Sequence, residues 1–254
     1  EREDGRGGGE AAAASEDELI LERPEQLTRR HNSRAGGVQL QAISLHDCGL
    51  SDNSLAALVN SLQRHPSISA LDISRNGGAH KTSNALAALL RSQPARVVCV
   101  DVSWNCITAA NVRGIAEALT SNNTLQELDL SWNGLGSEGV AALGNAMARN
   151  TTLRQLHLGS CGAGPSASAR LAKGLHGNSG SLEVLTLQNN PLGQVGGALV
   201  AAAVNAKPAA LMPSVNLIGC HFHPHTVEEE KALRRNQQLA GAAGDGDAGR
   251  DFNI

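Results

Sequence analysis

Apolar residues in this chain recur in a fixed arrangement that reads L-x-x-L-x-L-x-x-N-x-L. The clearest copy is LQELDLSWNGL at residues 125–135, and similar copies begin every 28 to 30 residues. Alternation of apolar and polar residues in the L-x-L portion predicts a short strand with one buried face. The copies begin at Leu40, Ile68, Val97, Leu125, Leu153, Leu182 and Met212. A period of this length predicts a fold built by stacking similar units.

The second half of each unit predicts a helix. In SDNSLAALVNSLQ the apolar residues share one helical face, and Ser51 stands where an N-cap is expected. In the last unit Thr226 and Glu229 have the spacing of a capping box. Strand and helix together predict an α/β solenoid that is curved, with parallel strands on the concave face and helices on the convex face.

The pattern resembles leucine-rich-repeat proteins of the long-repeat class typified by ribonuclease inhibitor. The resemblance covers about seven repeats, and in that family the asparagine side chain of the motif hydrogen-bonds to neighbouring backbone groups. Cys48, Cys161 and Cys220 stand in place of this asparagine in three copies. We expect these cysteines to be structural, with a redox or metal role as the alternative.

Composition divides the rest of the chain. We predict a flexible lead-in at 1–15, an N-terminal helical cap at 16–37, leucine-rich repeats at 38–235 and a flexible C-terminal tail at 236–254. The lead-in and tail are rich in glycine, alanine and charge, whereas EDELILERPEQL has apolar residues to cover the open first repeat. In the second unit Gly78 replaces the last leucine, which predicts a loosened turn or a loop that reaches toward a partner.

Bulk composition excludes several classes of function. The net charge is −3, without the clustered lysine and arginine of proteins that bind nucleic acid or anionic membranes. No stretch approaches the ~18 apolar residues of a membrane-spanning helix. Five cysteines without C-x-x-C pairs favour reduced thiols in the cytoplasm.

Motifs for catalysis are missing from the sequence. It contains no nucleophile elbow, no phosphate-binding glycine loop and no zinc-ligand spacing. We therefore predict no catalytic residue, no cofactor and no metal. The alternative is a metal site in CHFHPH at 220–225, but Cys220 and Phe222 already have places in the repeat, so a solvated turn is expected.

The candidate binding residues occupy two positions of the motif. Position five holds aspartate in three successive units, and position eight holds Trp104 and then Trp132. We expect the two indoles to lie side by side next to an acidic patch that attracts a basic partner segment. The alternative is that the indoles only pack over the neighbouring turn. The predicted partner-binding set is Asp72, Arg75, Asp101, Trp104, Glu127, Asp129, Trp132, Arg154 and His157.

Taken with the resemblance, these features predict a non-enzymatic protein–protein interaction scaffold that is a subunit of a larger assembly. The segment LDLSWNGLGSEGVAALGNAM is similar to intracellular proteins of this class, several of which work in cilia, so we expect a structural role in an axoneme. One alternative is a GTPase-activating protein of the Ran-directed leucine-rich-repeat type, with Arg75 as its arginine. Another is the sensing repeat domain of an innate-immune receptor.

Overall fold

The computed structural model describes residues 40–92 and 96–222, in which strands and helices alternate along the chain. The strands are β1 (Ala42–Ser44), β2 (Ala70–Asp72), β3 (Cys99–Asp101), β4 (Glu127–Asp129), β5 (Gln155–His157), β6 (Val184–Thr186) and β7 (Ser214–Asn216). The helices are α1 (Asp52–Leu62), α2 (His80–Arg91), α3 (Ala109–Leu119), α4 (Gly136–Met147), α5 (Pro165–Gly177) and α6 (Gly193–Asn205). A 3₁₀ helix, Ala209–Leu211, precedes β7.

All seven strands form one parallel sheet in which spatial order equals sequence order. Equivalent motif positions pair across the sheet, so that Leu71 faces Val100 and Val100 faces Leu128. Each helix packs on the next one along the chain, which gives a second layer. The predicted α/β leucine-rich-repeat solenoid of about seven repeats is confirmed.

The core lies between the two layers and consists of aliphatic side chains. Each strand contributes the central apolar residue of its motif, and each helix contributes one face, such as Leu55 and Val59 of α1, which are fully buried. Only 2% of the chain is aromatic, so Leu, Val, Ile and Ala fill this thin layer in every repeat. Each slice buries its apolar face against its neighbours, as repeat proteins require.

Asparagines at position nine join consecutive repeats. Asn133 Nδ2 donates to the carbonyl oxygens of Val102 (2.9 Å) and Leu130 (3.0 Å), while its Oδ1 accepts from the amide of Ile107 (2.9 Å). Because these backbone groups are buried where the chain turns out of the sheet, they need such partners. The same bonds recur at Asn76, Asn105 and Asn190.

Two of the three cysteines at this position reproduce part of that bonding. Cys161 Sγ donates to the carbonyl of Leu130 (3.3 Å) and Cys220 Sγ to that of Leu187 (2.9 Å). Burial, partly offset by backbone hydrogen bonds, raises the pKa of Cys161 to about 12, so this thiol stays protonated at neutral pH. Cys48, in the first repeat, is exposed. The structural role predicted for Cys161 and Cys220 agrees with these contacts.

The turn at Gly78 differs from the expectation of a loosened loop. Gly78 is buried, and its amide donates to Asn105 Oδ1 at 2.7 Å. A Cβ at this position would lie 2.8 Å from the same oxygen. The glycine therefore lets the backbone enter the space that a leucine side chain fills in other repeats, and the turn is tight.

The first two helices are capped in different ways. Ser51 caps α1, because its hydroxyl accepts from the amide of Ser54 as predicted. Helix α2 begins after Ala79, which has no side-chain acceptor, and the carboxylate of Asp52 from the preceding repeat accepts from its first amides instead.

Several predictions fall outside the described residues. These are the lead-in at 1–15, the cap at 16–37, the tail at 236–254 and the capping box of Thr226 and Glu229. Of the helices described, none has the length and apolar character needed to cross a membrane.

Candidate partner-binding surface

Three side chains at position eight of consecutive repeats form one stack. The rings of Trp104 and Trp132 are stacked with centroids 4.1 Å apart and planes inclined by 12°. The guanidinium carbon of Arg75 lies 4.8 Å from the centroid of the Trp104 ring. We call Arg75, Trp104 and Trp132 the aromatic column. The predicted adjacency of the two indoles is therefore present in the structure.

Backbone hydrogen bonds beyond the strands set the spacing of the column. The amide of each position-eight residue donates to the position-seven carbonyl of the next repeat. The bonds are Arg75 to Ser103 (3.0 Å), Trp104 to Ser131 (2.9 Å) and Trp132 to Gly159 (2.8 Å). Parallel strands lie about 4.8 Å apart. Because the ladder carries this spacing past the strands, rings at position eight arrive at stacking distance.

The column residues have left-handed backbone conformations. Their φ angles are 51° at Arg75, 53° at Trp104 and 56° at Trp132. This conformation costs roughly 1–2 kcal/mol for an ordinary residue, and asparagine, aspartate and histidine tolerate it best. Position eight in other repeats holds Asp47, Asn189 and Gly219, each also at positive φ. Three bulky side chains in strained positions, side by side, are a feature more common at functional sites than elsewhere.

The two indoles are the most prominent exposed aromatic surface of the described residues. Trp104 is 42% exposed and Trp132 is 47% exposed, although their rings contact each other. The structure is therefore compatible with both interpretations of the indoles, that they pack over the neighbouring turn and that they bind a partner. Within the column Arg75 and Trp132 cover the two faces of the Trp104 ring and Trp104 covers one face of the Trp132 ring, while part of each indole remains exposed.

The acidic row at position five needs a correction. Asp72 and Asp101 are only 3% and 4% exposed, and do not form the open acidic patch expected from the sequence. Each carboxylate turns back on its own chain and accepts an amide two residues on, from Ser74 (3.0 Å) and Ser103 (2.8 Å). Asp129 makes the same bond but is half-buried. Through these hydrogen bonds the three aspartates at position five stabilise the turn that leads to the aromatic column.

Charge in this row is lower than a count of carboxylates suggests. Burial and the charge of neighbouring Asp129 raise the pKa of Asp101 to about 7, and hydrogen bonds from Ser103 only partly oppose this. Asp72 adds a smaller repulsion in the same direction. Asp101 is therefore substantially protonated at neutral pH, and the aspartate row carries less negative charge than three ionised groups would.

The remaining predicted residues fall into two groups: His157 lies near Glu127, and Arg154 lies near Glu183. His157 is buried, with Nδ1 3.2 Å from Thr186 Oγ1 and Nε2 3.8 Å from the carboxylate of Glu127. Glu127 is itself half-buried, with 23% of its side chain exposed. Arg154 forms an ion pair with Glu183 of the next repeat, so it balances that carboxylate and not the aspartates.

The structure thus unites part of the predicted set. Arg75, Trp104 and Trp132 form one exposed column, Glu127 and Asp129 contribute half-buried carboxylates, and Asp72, Asp101 and His157 lie beneath the surface. Sequence analysis missed the strained backbone of the column. The indication was the residue type in the other repeats, since Asp47, Asn189 and Gly219 all suit a left-handed turn.

The alternative metal site is only partly described. Cys220 is buried and its Sγ donates to a carbonyl, while His223 and His225 lie outside the described residues. Across residues 40–92 and 96–222 no group of three or more histidine, cysteine or acidic side chains is arranged to hold a metal ion.

Comparisons with known proteins agree with the repeat architecture. A family model described as Leucine Rich repeat matches residues 121–144, which include Trp132. No curated protein matches the chain. Among the solved structures that match the chain, two are similar to it at low sequence identity. One is Leiomodin-1 Actin-Binding Site 2, with 18% identity, a TM-score of 0.44 and coverage of 56% of this chain and 83% of that one. The other is the tropomodulin C-terminal domain of Caenorhabditis elegans, with 16% identity, a TM-score of 0.47 and coverage of 63% and 96%.

Proposed function

From its fold as a leucine-rich-repeat solenoid, we propose that the chain is a non-enzymatic interaction scaffold whose aromatic column binds a basic segment of a protein partner. The observation behind this proposal is the pair of indoles stacked at 4.1 Å, both exposed, on strained backbone. Stacked repeats suit such a role because they present an extended surface on which equivalent positions lie in rows.

The energetics of the column favour binding. Tryptophan and arginine are enriched among residues that dominate interface energies, since they bury much area for few rotatable bonds. Stacking already restricts the rings of Trp104 and Trp132, so binding costs little further side-chain entropy. The column is a preorganised anchor in which the unbound protein has already fixed the contact geometry.

A basic partner fits the charge and the aromatic faces. The described carboxylates of Glu127 and Asp129 are half-buried on the strand that precedes Trp132, and the whole chain has a net charge of −3. Indole faces attract cations by about 0.5–1 kcal/mol at exposed sites and by more when water is excluded. A cation near Asp101 would also favour its ionised form, which strengthens the attraction on binding.

Affinity capture with matched variants tests this proposal. We expect the Trp104→Ala/Trp132→Ala double variant to lose most of the specific partner that wild-type protein captures. Leu199→Ala is the control, because Leu199 on α6 is 42% exposed, the same fraction as Trp104. It should capture the partner as wild type does. Circular dichroism must show that both variants remain folded, and full capture by the double variant would refute the column's role.

The cellular setting we propose is the cytoplasm, within a ciliary or axonemal assembly. Its support is the likeness of LDLSWNGLGSEGVAALGNAM to repeats of ciliary scaffold proteins. A fluorescently tagged chain in ciliated cells should concentrate along the cilium and stay with the axoneme after detergent extraction. A uniform cytosolic distribution would contradict this setting and leave the scaffold proposal standing.

Arg75 was the residue that the Ran-directed alternative requires. Its guanidinium lies over Trp104, so its use on a partner's nucleotide would first break that cation–π contact. The position favours Arg75 as a member of the column. An assay of GTP hydrolysis by a Ran-type GTPase, with wild-type protein and Arg75→Ala, separates the two roles.

A further inference from the structure

We infer that an arginine of the partner stacks on the uncovered face of Trp132, above Ser160, and extends the aromatic column by one member. This inference rests on the proposed function and adds the chemical group that is recognised and the place where it binds. It follows from three features: the order of residues in the row, the exposure of Trp132 and the contact that Arg75 makes at the other end.

The row leaves one face of the column open. Arg75 covers one face of Trp104, and Trp132 covers the other. Trp104 in turn covers one face of Trp132, and the next residue in the row is Ser160. A serine side chain ends at its hydroxyl and is too short to cover an indole. Trp132 is 47% exposed, against 42% for Trp104. Among the described residues the column ends here.

The surroundings of Ser160 give a guest group space. Ser160 itself is half-buried, and the neighbouring position-seven residue is Gly159, over which the Gln188 side chain of the next repeat lies. A planar group that enters parallel to the indole would lie over the short side chain of Ser160, with Gln188 beside it.

Arg75 shows which group fits. It places a guanidinium 4.8 Å from the centroid of Trp104, on a row whose geometry is the same at Ser160. Guanidinium is planar and weakly hydrated, so it stacks on an aromatic face better than the compact, strongly hydrated ammonium of lysine. Half-buried Asp129, three residues before Trp132, favours a cation over a neutral ring.

The test fills the open place from within the chain. Ser160 has a φ angle of 54°, close to the 51° of Arg75, so Ser160→Arg places an arginine on a backbone that already holds one in the second repeat. Ser160→Asn is the matched control, since Asn189 occupies the same position at 57° with a short neutral side chain. Both substitutions suit the backbone, which keeps folding comparable.

The probe is a blocked Gly-Arg-Gly-Arg-Gly peptide, with lysine and citrulline versions as comparisons. The chain has two tryptophans and no tyrosine, so intrinsic fluorescence reports the column directly. We expect the arginine peptide to change the emission of wild type and Ser160→Asn, and to bind Ser160→Arg about fivefold more weakly. The citrulline peptide should bind several-fold more weakly than the arginine peptide.

Two results would overturn the inference. One is equal affinity of wild type and Ser160→Arg for the arginine peptide, and the other is equal affinity of wild type for the citrulline peptide. Partner capture separates this failure from that of the scaffold proposal. If the double tryptophan variant loses the partner while Ser160→Arg retains it fully, the column binds but the place above Ser160 is not used. If the double variant retains the partner, the scaffold proposal fails instead.

Discussion

The carboxylate of Asp52 accepts hydrogen bonds from both the amide (2.8 Å) and the hydroxyl (2.7 Å) of Thr82, which follows it by 30 residues. The amides of Ala79 (2.8 Å) and Lys81 (3.0 Å) donate to the same carboxylate. Burial alone would raise the pKa of Asp52, but these bonds outweigh it and lower the pKa to about 2. One repeat thereby caps the helix of the next.

We expect Asp52→Ala to destabilise the protein by about 1 kcal/mol at pH 7, the typical contribution of a helix N-cap. The folded-state pKa is lowered, so this contribution is complete above the ordinary value of 3.8 and is lost as pH falls toward about 2. Urea unfolding at neutral and acidic pH measures the difference. Asp52→Asn is the control and should recover part of the loss, and an Asp52→Ala effect that is constant over this pH range would contradict the interpretation.

Close helix packing predicts a severe effect at Gly174. A Cβ there would lie 2.0 Å from the carbonyl oxygen of Gly144, so α4 and α5 can approach only without that atom. We expect Gly174→Ala to destabilise by about 3 kcal/mol, through overpacking against backbone that cannot move aside. The measurement is the midpoint of denaturant unfolding.

Gly114 in α3 provides the matched control for this substitution. A Cβ at Gly114 would lie at an ordinary 3.5 Å from the Cβ of Ala87. Gly114→Ala should therefore stabilise by about 0.5–1 kcal/mol, through helix propensity alone. Equal effects at the two glycines would show that the helices separate more easily than the structure indicates.

The raised pKa of Asp101 predicts that the stability of the protein decreases as pH rises. Its pKa is raised to about 7 in the folded protein from 3.8, so the folded state binds the extra proton between these values. Stability is therefore lost as pH rises through this range. Asp101→Asn keeps an acceptor for Ser103 and removes the charge. It should stabilise the protein by at least about 1 kcal/mol at pH 8 and have little effect near pH 4. Thermal unfolding at the two values tests this, and a gain that is independent of pH would refute it.

The cysteines should differ in reactivity. Cys48 and Cys106 are exposed, whereas Cys161 and Cys220 are buried, and burial raises the pKa of both buried thiols. We expect iodoacetamide to modify Cys48 and Cys106 in the native protein and to reach the buried pair only after unfolding. Mass spectrometry of peptides after a time course measures this. Early modification of Cys161 would contradict its place in the asparagine row.

Much of the fold was predictable because it depends on local spacing. The period places Val100 beside Leu128, and the strand register and the stacking of Trp104 on Trp132 follow from that alignment alone. The cap by Ser51 is also a local bond. These features follow from the apolar periodicity and from the residue type at one motif position, and both are visible in the sequence.

Features that depend on contacts between repeats were not predictable in the same way. The bonds from α2 to Asp52, and the approach of Gly144 to Gly174, depend on how far one helix is shifted along its neighbour. The burial of Asp101 depends on the depth of the sheet surface, which a count of charged residues does not contain. The acidic patch was overestimated for that reason.

The hydrogen-bond ladder that continues past the strands has a consequence for engineering. Because backbone amides fix the spacing at position eight, a side chain in that row can be exchanged without moving its neighbours, provided that the new residue tolerates the left-handed backbone. Exchanging the position-eight residue of each repeat would place chosen side chains in a row along this edge, about 4.8 Å apart. Side chains that recognise a partner could then be placed along this edge at chosen multiples of that distance.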